Sequence, residues 1–241
     1  MNGIYLYSSA MNNFMADNYI SDVVTAIDIG YSSGNTLKNN TMVDCGIDIE
    51  GDPEDYDSTE IDVSNTVNGK PVYYWKNVKG GKIPSDAGQV ILFNCTDVVV
   101  KDSNLNNATI SIILAYSSNI TVINNSCCHN SLYGILLYKS DDNTIMNCNC
   151  SYNFWAGIKV RKSNDNLIIG NNCSLNYDRG IEFFWSSGKV VSNNIVCSNG
   201  GTGIDASGII SDNIVCSNGK GVFPGGGIYA GSNSIVYKTH A

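Results

Sequence analysis

The chain has 241 residues, a net charge of −8 and only 15 % charged residues. The acidic balance argues against nucleic acid as a partner, because phosphates reward Lys and Arg, and against anionic membrane surfaces. With 43 % hydrophobic residues the chain holds enough apolar side chains for a packed core, which excludes general disorder, and no run of about 18 apolar residues is present to span a membrane.

The chain opens on Met1-Asn2-Gly3-Ile4-Tyr5-Leu6, with neither the charged nor the apolar region of a signal peptide. It starts inside a repeat, so the chain is expected to be part of a longer polypeptide. Gly3-Ile4, Ala26-Ile27 and Gly46-Ile47 mark the first coils, one of them shortened. The pattern is then lost over 51–87. An acidic run, Asp48, Glu50, Asp52, Glu54, Asp55 and Asp57, leads into this stretch, which also holds an Asn68-Gly69 pair between extended runs that predicts a tight type I′ turn. It is expected to be a divergent or inserted segment within a single domain spanning 1–241.

Beyond it the period is regular. Gly134-Ile135, Gly157-Ile158, Gly180-Ile181 and Gly203-Ile204 follow one another at 23 residues. Wrapping the chain at that period produces columns: Ile112, Ile135, Ile158, Ile181 and Ile204; two residues on, Leu114, Leu137, Val160, Phe183 and Ala206; further along, Cys127, Cys150, Cys173 and Val196. Two-residue separation is the strand period, so the first two columns share a face. Strands this short cannot bury a face alone, but stacking them in register does, whereas a helical repeat would need apolar residues at three- and four-residue spacing. The predicted fold is therefore an all-β, right-handed parallel β-helix, a solenoid of roughly nine or ten coils. Asn107, Asn130, Asn153, Asn176 and Asn199 form the strongest polar column, expected to be a ladder in which each side-chain amide bonds to the next coil.

The unit Gly134-Ile135-Leu136-Leu137-Tyr138-Lys139-Ser140-Asp141-Asp142-Asn143-Thr144-Ile145 resembles the repeats of NosD-like proteins, of carbohydrate-binding and sugar-hydrolase (CASH) domains and of pectin-degrading enzymes. The stretch from Ile61 to Trp75, followed by Ile83 to Leu92, resembles a module of archaeal NosD-like surface proteins. The resemblance implies an extracellular or cell-surface location. It implies a non-catalytic repeat module, structural or binding glycans and other surface components. Two alternatives are a polysaccharide lyase or hydrolase and a NosD-type copper-accessory module.

Outward positions of the Gly-Ile strands gather Tyr138, Lys159, Arg161, Glu182, Phe184 and Asp205 on one face, the composition of a sugar-binding cleft: aromatic faces for pyranose rings and charges for hydroxyls. An ordinary solvated β-face with cross-strand ion pairs has the same composition. No carboxylate pair recurs as a catalytic site would need, so no catalytic residue is assigned. Asp52, Glu54, Asp55 and Asp57 are the candidate Ca²⁺ ligands, set against a solvated acidic loop. Copper would need soft ligands, and Cys127, Cys128, His129, Cys148 and Cys150 cluster within two coils; core packing accounts for most of them. Of the nine Cys, Cys197 and Cys216 are the best candidates for a disulfide. Both ends expose strand edges, which predicts end-to-end association with a second copy or with flanking coils.

Overall fold

The computed structural model describes residues 1–222 and 225–240. It is nearly all β, a parallel solenoid of about ten turns with about 23 residues per coil. The main stack begins at Gln89. Strands Gln89–Phe93, Ile110–Ala115, Tyr133–Tyr138, Ala156–Arg161, Arg179–Phe184, Ile204–Ala206 and Ile228–Ala230 lie side by side in one parallel sheet. A second sheet is built the same way, from Val99–Lys101 through Thr121–Ile123, Thr144–Met146 and Asn164–Ile169 to Ile235–Tyr237. The isoleucine column is a set of register partners, Ile112 to Ile135 to Ile158 to Ile181 to Ile204, and all five side chains are buried in one continuous core. The glycine before each of the last four isoleucines has a steric cause. A Cβ on Gly157 would sit 2.6 Å from the Cys150 carbonyl oxygen and 2.8 Å from that of Gly180.

The asparagine ladder runs through Asn130, Asn153, Asn176, Asn199 and Asn218. Each backbone N–H and side-chain Nδ2 donates to the Oδ1 of the next residue, at 2.8–3.1 Å. The amide that would otherwise be a buried, unpaired donor is satisfied coil by coil. Asn107 is a correction: it is exposed and holds a left-handed turn position (φ 58°). Its neighbour Ala108 fills the ladder slot, and the Ala108 N–H donates to Asn130 Oδ1 at 2.9 Å. A single residue, Thr109, spans the turn that Ser131 and Leu132 span one coil later, so wrapping at a constant period misplaces this coil by one. Further ladders escaped the sequence pattern, among them Asn18–Asn40–Asn65 and Ser117–Ser140–Ser163.

The first three coils form a separate stack. Strands Asn2–Tyr7, Thr25–Gly30 and Ile47–Glu50 pair in parallel, and Tyr19–Ile20, Thr41–Met42 and Thr66–Val67 do likewise. Within 51–87 lie the short helix Pro53–Ser58, the last strands of the third coil, and the reversal. Strands Thr66–Val67 and Lys70–Lys76 pair antiparallel across Asn68 and Gly69, whose φ of 51° and 74° are those of the predicted type I′ turn. Lys70–Lys76 then pairs in parallel with Gln89–Phe93, the first strand of the main stack, and so joins the two.

The reversal lays the first three coils against the outer face of the main sheet. Ile91, Phe93, Ile113 and Ala115, outward on their strands, are buried in a second core with Ile27, Ile29, Ile47, Ile49 and Tyr56. The edge of Ile47–Glu50 would be an unpaired strand edge, but the Gln89 carboxamide takes the place of a neighbouring peptide. Its Oε1 accepts from the Ile47 N–H at 2.9 Å, and its Nε2 donates to the carbonyls of Ile47 at 2.6 Å and Ile110 at 2.9 Å. Thr109 Oγ1 accepts from the Gly46 N–H at 2.8 Å and donates to the Val24 carbonyl at 3.0 Å.

Cys197 and Cys216, register partners on stacked strands, are joined by a disulfide. Among the described residues the other seven cysteines are free and buried.

Candidate functional site

Where the first three coils meet the main sheet they leave a re-entrant corner, a cavity of about 270 Å³. Strand Ile47–Glu50 supplies Asp48 and Glu50 and the helix Pro53–Ser58 supplies Tyr56. The main sheet supplies Tyr133, Leu136 and Tyr138 from one strand, Lys159 and Arg161 from the next, and Phe184 from the one after. Alternation sends Leu136, Tyr138, Lys159, Arg161 and Phe184 outward, since the intervening residues Ile135, Leu137, Ile158, Val160, Ile181 and Phe183 fill the core; Tyr133, at the start of its strand, packs against the second core.

The charges in the corner are paired across strands. Arg161 Nη1 donates to Glu50 Oε1 at 2.7 Å, joining residues 111 apart in sequence. Lys159 Nζ lies 2.5 Å from Glu182 Oε2, and Arg179 bonds the other Glu182 oxygen. Lys159 Nζ also sits 5.1 Å from the Phe184 ring centroid and 6.0 Å from that of Tyr133, and the Arg161 guanidinium is 5.3 Å from the Tyr138 ring. Asp48 is enclosed by this arrangement, and its register partner on the preceding coil is another carboxylate, Asp28. Burial, followed by the charges of Asp28 and Glu50, pushes the Asp48 carboxyl up to about 7, against a backbone hydrogen bond at Ile49 and the Arg161 charge. Asp28 is also raised, chiefly by burial.

Of the six residues placed on the cleft face from sequence, Tyr138, Lys159, Arg161 and Phe184 line the cavity. Glu182 lies beneath it, 7 % exposed, as the anchor of Lys159 and Arg179. Asp205 is one strand further on, 3.6 Å from Arg179, and does not line the cavity. Sequence reasoning had Asp48 and Glu50 only as members of an acidic run. A usable signal was present: Ile27-Asp28-Ile29 and Ile47-Asp48-Ile49 alternate as strands do, which marks these carboxylates as face residues rather than loop residues.

The acidic residues 52–57 are spent on the helix and its surroundings. Asp55 Oδ2 accepts from the Asp52 N–H at 2.9 Å, Asp52 lies 3.7 Å from Lys139 Nζ, and Asp57 Oδ1 accepts from Asn77 at 2.8 Å. Glu54 extends from the helix's first turn into solvent. Cys127, Cys128, Cys148 and Cys150 are buried, and His129 stacks on Tyr152 at 4.9 Å. Among the described residues no three His, Cys, Asp or Glu side chains group as a metal site, and no helix is long and apolar enough to cross a membrane.

Residues 86–240 match the family described as right handed beta helix region. No curated protein sequence matches the chain. Among solved structures it is similar to the periplasmic alginate epimerase AlgG, with a TM-score of 0.56 and 13 % identity over 97 % of this chain and 60 % of that one. A double mutant of the same enzyme aligns with a TM-score of 0.55 and 16 % identity over 99 % of this chain and 70 % of that one. The A-module of the Azotobacter vinelandii mannuronan C-5 epimerase AlgE6 aligns at 0.49 and 15 % identity, over 99 % and 75 %. At these identities the likeness is one of fold, and the chain spans about 60 % of the length of the first epimerase.

Proposed function

The chain belongs to the right-handed β-helix family, and from that premise we propose that it is an extracytoplasmic module that binds glycan, without turnover, in the corner between its two stacks. The observation that carries this reading is the cavity lining. Phe184, 39 % exposed, offers a ring to a sugar, and the buried Tyr138 ring backs Arg161, while Lys159, Arg161 and Glu50, already paired, offer fixed donors and acceptors at a size suited to one or two sugar units. The epimerase that shares the fold acts, by its name, on alginate. The Cys197–Cys216 disulfide fits an oxidising location outside the cytoplasm. The NosD-like surface type belongs to the same proposal, supported by the resemblance of the stretch from Ile61 to Trp75; copper delivery has less support, since the clustered cysteines are buried.

The test is titration calorimetry of the intact chain against a panel of neutral and acidic oligosaccharides, repeated with Phe184→Ala and Lys159→Met. Saturable binding weakened about tenfold or more by either change supports the reading. Absence of binding across the panel, or binding indifferent to both changes, overturns it.

A further inference from the structure

Two carboxylates line the cavity; Glu50 is paired with Arg161, whereas Asp48 forms no ion pair among the described residues, and its position sets what the cavity can take. Lys159 is matched by Glu182 and Arg161 by Glu50, so the lining is electrically balanced before Asp48 is counted. An ionised Asp48 leaves it negative and hostile to an anion. A protonated Asp48 leaves it neutral and adds an O–H donor. Arg161 gives a single nitrogen to Glu50, and its side chain keeps 29 % exposure toward the corner, so guanidinium donors remain for a ligand. From this we infer that the cavity takes the carboxylate of an acidic sugar residue together with one proton, the Asp48 carboxyl donating to the ligand carboxylate while Arg161 donates from the opposite wall. The inference rests on the glycan reading of the same cavity and names its ligand class.

The surroundings of Asp48 keep the proton there. Asp28 faces it from the preceding coil and Glu50 from its own strand, both disfavouring its ionised form, with Arg161 opposing them. Tyr56 on the helix and Tyr133 and Tyr138 on the main sheet complete the wall as neutral groups, with Lys159 beyond them already tied to Glu182. A ligand anion adds a further negative charge beside Asp48, so binding draws a proton from solvent wherever Asp48 is partly ionised.

The experiment is calorimetry of the intact chain with a mannuronate tetrasaccharide and with its carboxyl-reduced, neutral counterpart. It is run at pH 6.0, 7.0 and 8.5, in two buffers of different ionisation enthalpy to count protons. The acidic sugar is expected to bind at pH 6.0 and to weaken by up to about tenfold per pH unit above neutrality, with net proton uptake near pH 7. Asp48→Asn is expected to bind several-fold more weakly at pH 6.0, because an amide is a poorer donor, and to lose both the pH dependence and the proton uptake. The proton count on the native chain holds its value even if the variant folds poorly. Equal binding of the neutral sugar without proton uptake overturns this inference and leaves the glycan site standing. Binding of neither sugar, while another glycan binds the cavity, overturns the inference alone; binding of no glycan removes both. A pH dependence that survives in Asp48→Asn places the proton elsewhere and also overturns it.

Discussion

Replacing Gln89 with leucine tests how the site is held together. The residue is fully buried, and its carboxamide serves the Ile47 N–H, the Ile47 carbonyl and the Ile110 carbonyl. Leucine fills nearly the same space and makes none of these bonds, so one buried donor and two buried acceptors lose their partner. A buried polar group left unsatisfied costs about 1–3 kcal/mol, which places the total near 3–6 kcal/mol after partial relaxation. The cost falls at the contact between the stacks and not inside either core. The first three coils should therefore loosen while the main stack, whose ladders are untouched, stays folded. Hydrogen exchange resolves this: amides of Ile47–Glu50 are expected to exchange orders of magnitude faster in Gln89→Leu, with those of Ala156–Arg161 nearly unchanged. Because Ile47–Glu50 carries Asp48 and Glu50, glycan affinity should fall with it. Exchange at Ile47 within threefold of the native rate, or a uniform loss of protection across both stacks, would refute the argument that this one carboxamide replaces a strand partner.

Four further outcomes are expected. Asn153→Ala removes the acceptor of the Asn130 N–H and of its Nδ2, leaving two buried donors unpaired and lowering stability by about 2–5 kcal/mol in urea unfolding. Ile158→Ala, in the middle of the core column, should cost about 2–5 kcal/mol in the same assay. Asp48 has a folded-state pKa near 7, above its unfolded value, so the folded chain binds more protons between about pH 4 and 7. Its contribution is fully present below about pH 4 and is lost as pH rises through 7, and Asp48→Asn should flatten that part of the stability–pH curve. Cys197→Ser opens a loop of 19 residues and should lower stability by about 2–4 kcal/mol, with increased proteolysis confined to the coils beyond 195.

The main stack was legible because its signal is repeated. The isoleucine column recurs in coil after coil, each copy confirming the next, and the strand period then assigns Lys159, Arg161 and Phe184 to the outer face without any structure. The error at Asn107 has the same origin: a constant period cannot register a turn one residue shorter, and an asparagine beside the true slot passes for a member of the ladder. Asp48 was misassigned because its neighbours 52–57 form an acidic run, and composition outweighed the alternation of Ile47, Asp48 and Ile49.

By itself the sequence determined the coil, its interior and the alternation that turns particular side chains outward, since these follow from local geometry and from contacts about one period apart. Only the tertiary structure decided that the reversal at Asn68 and Gly69, legible in the sequence as a turn, lays the first three coils across the outer face of the rest. That docking depends on single, unrepeated contacts: Gln89 to Ile47 across 42 residues and Arg161 to Glu50 across 111. No periodic pattern encodes them, so the outward residues of strands Gln89–Phe93 and Ile110–Ala115 read as solvent-facing although they are core. The cavity exists because two separately predictable stacks meet at an angle that neither specifies alone.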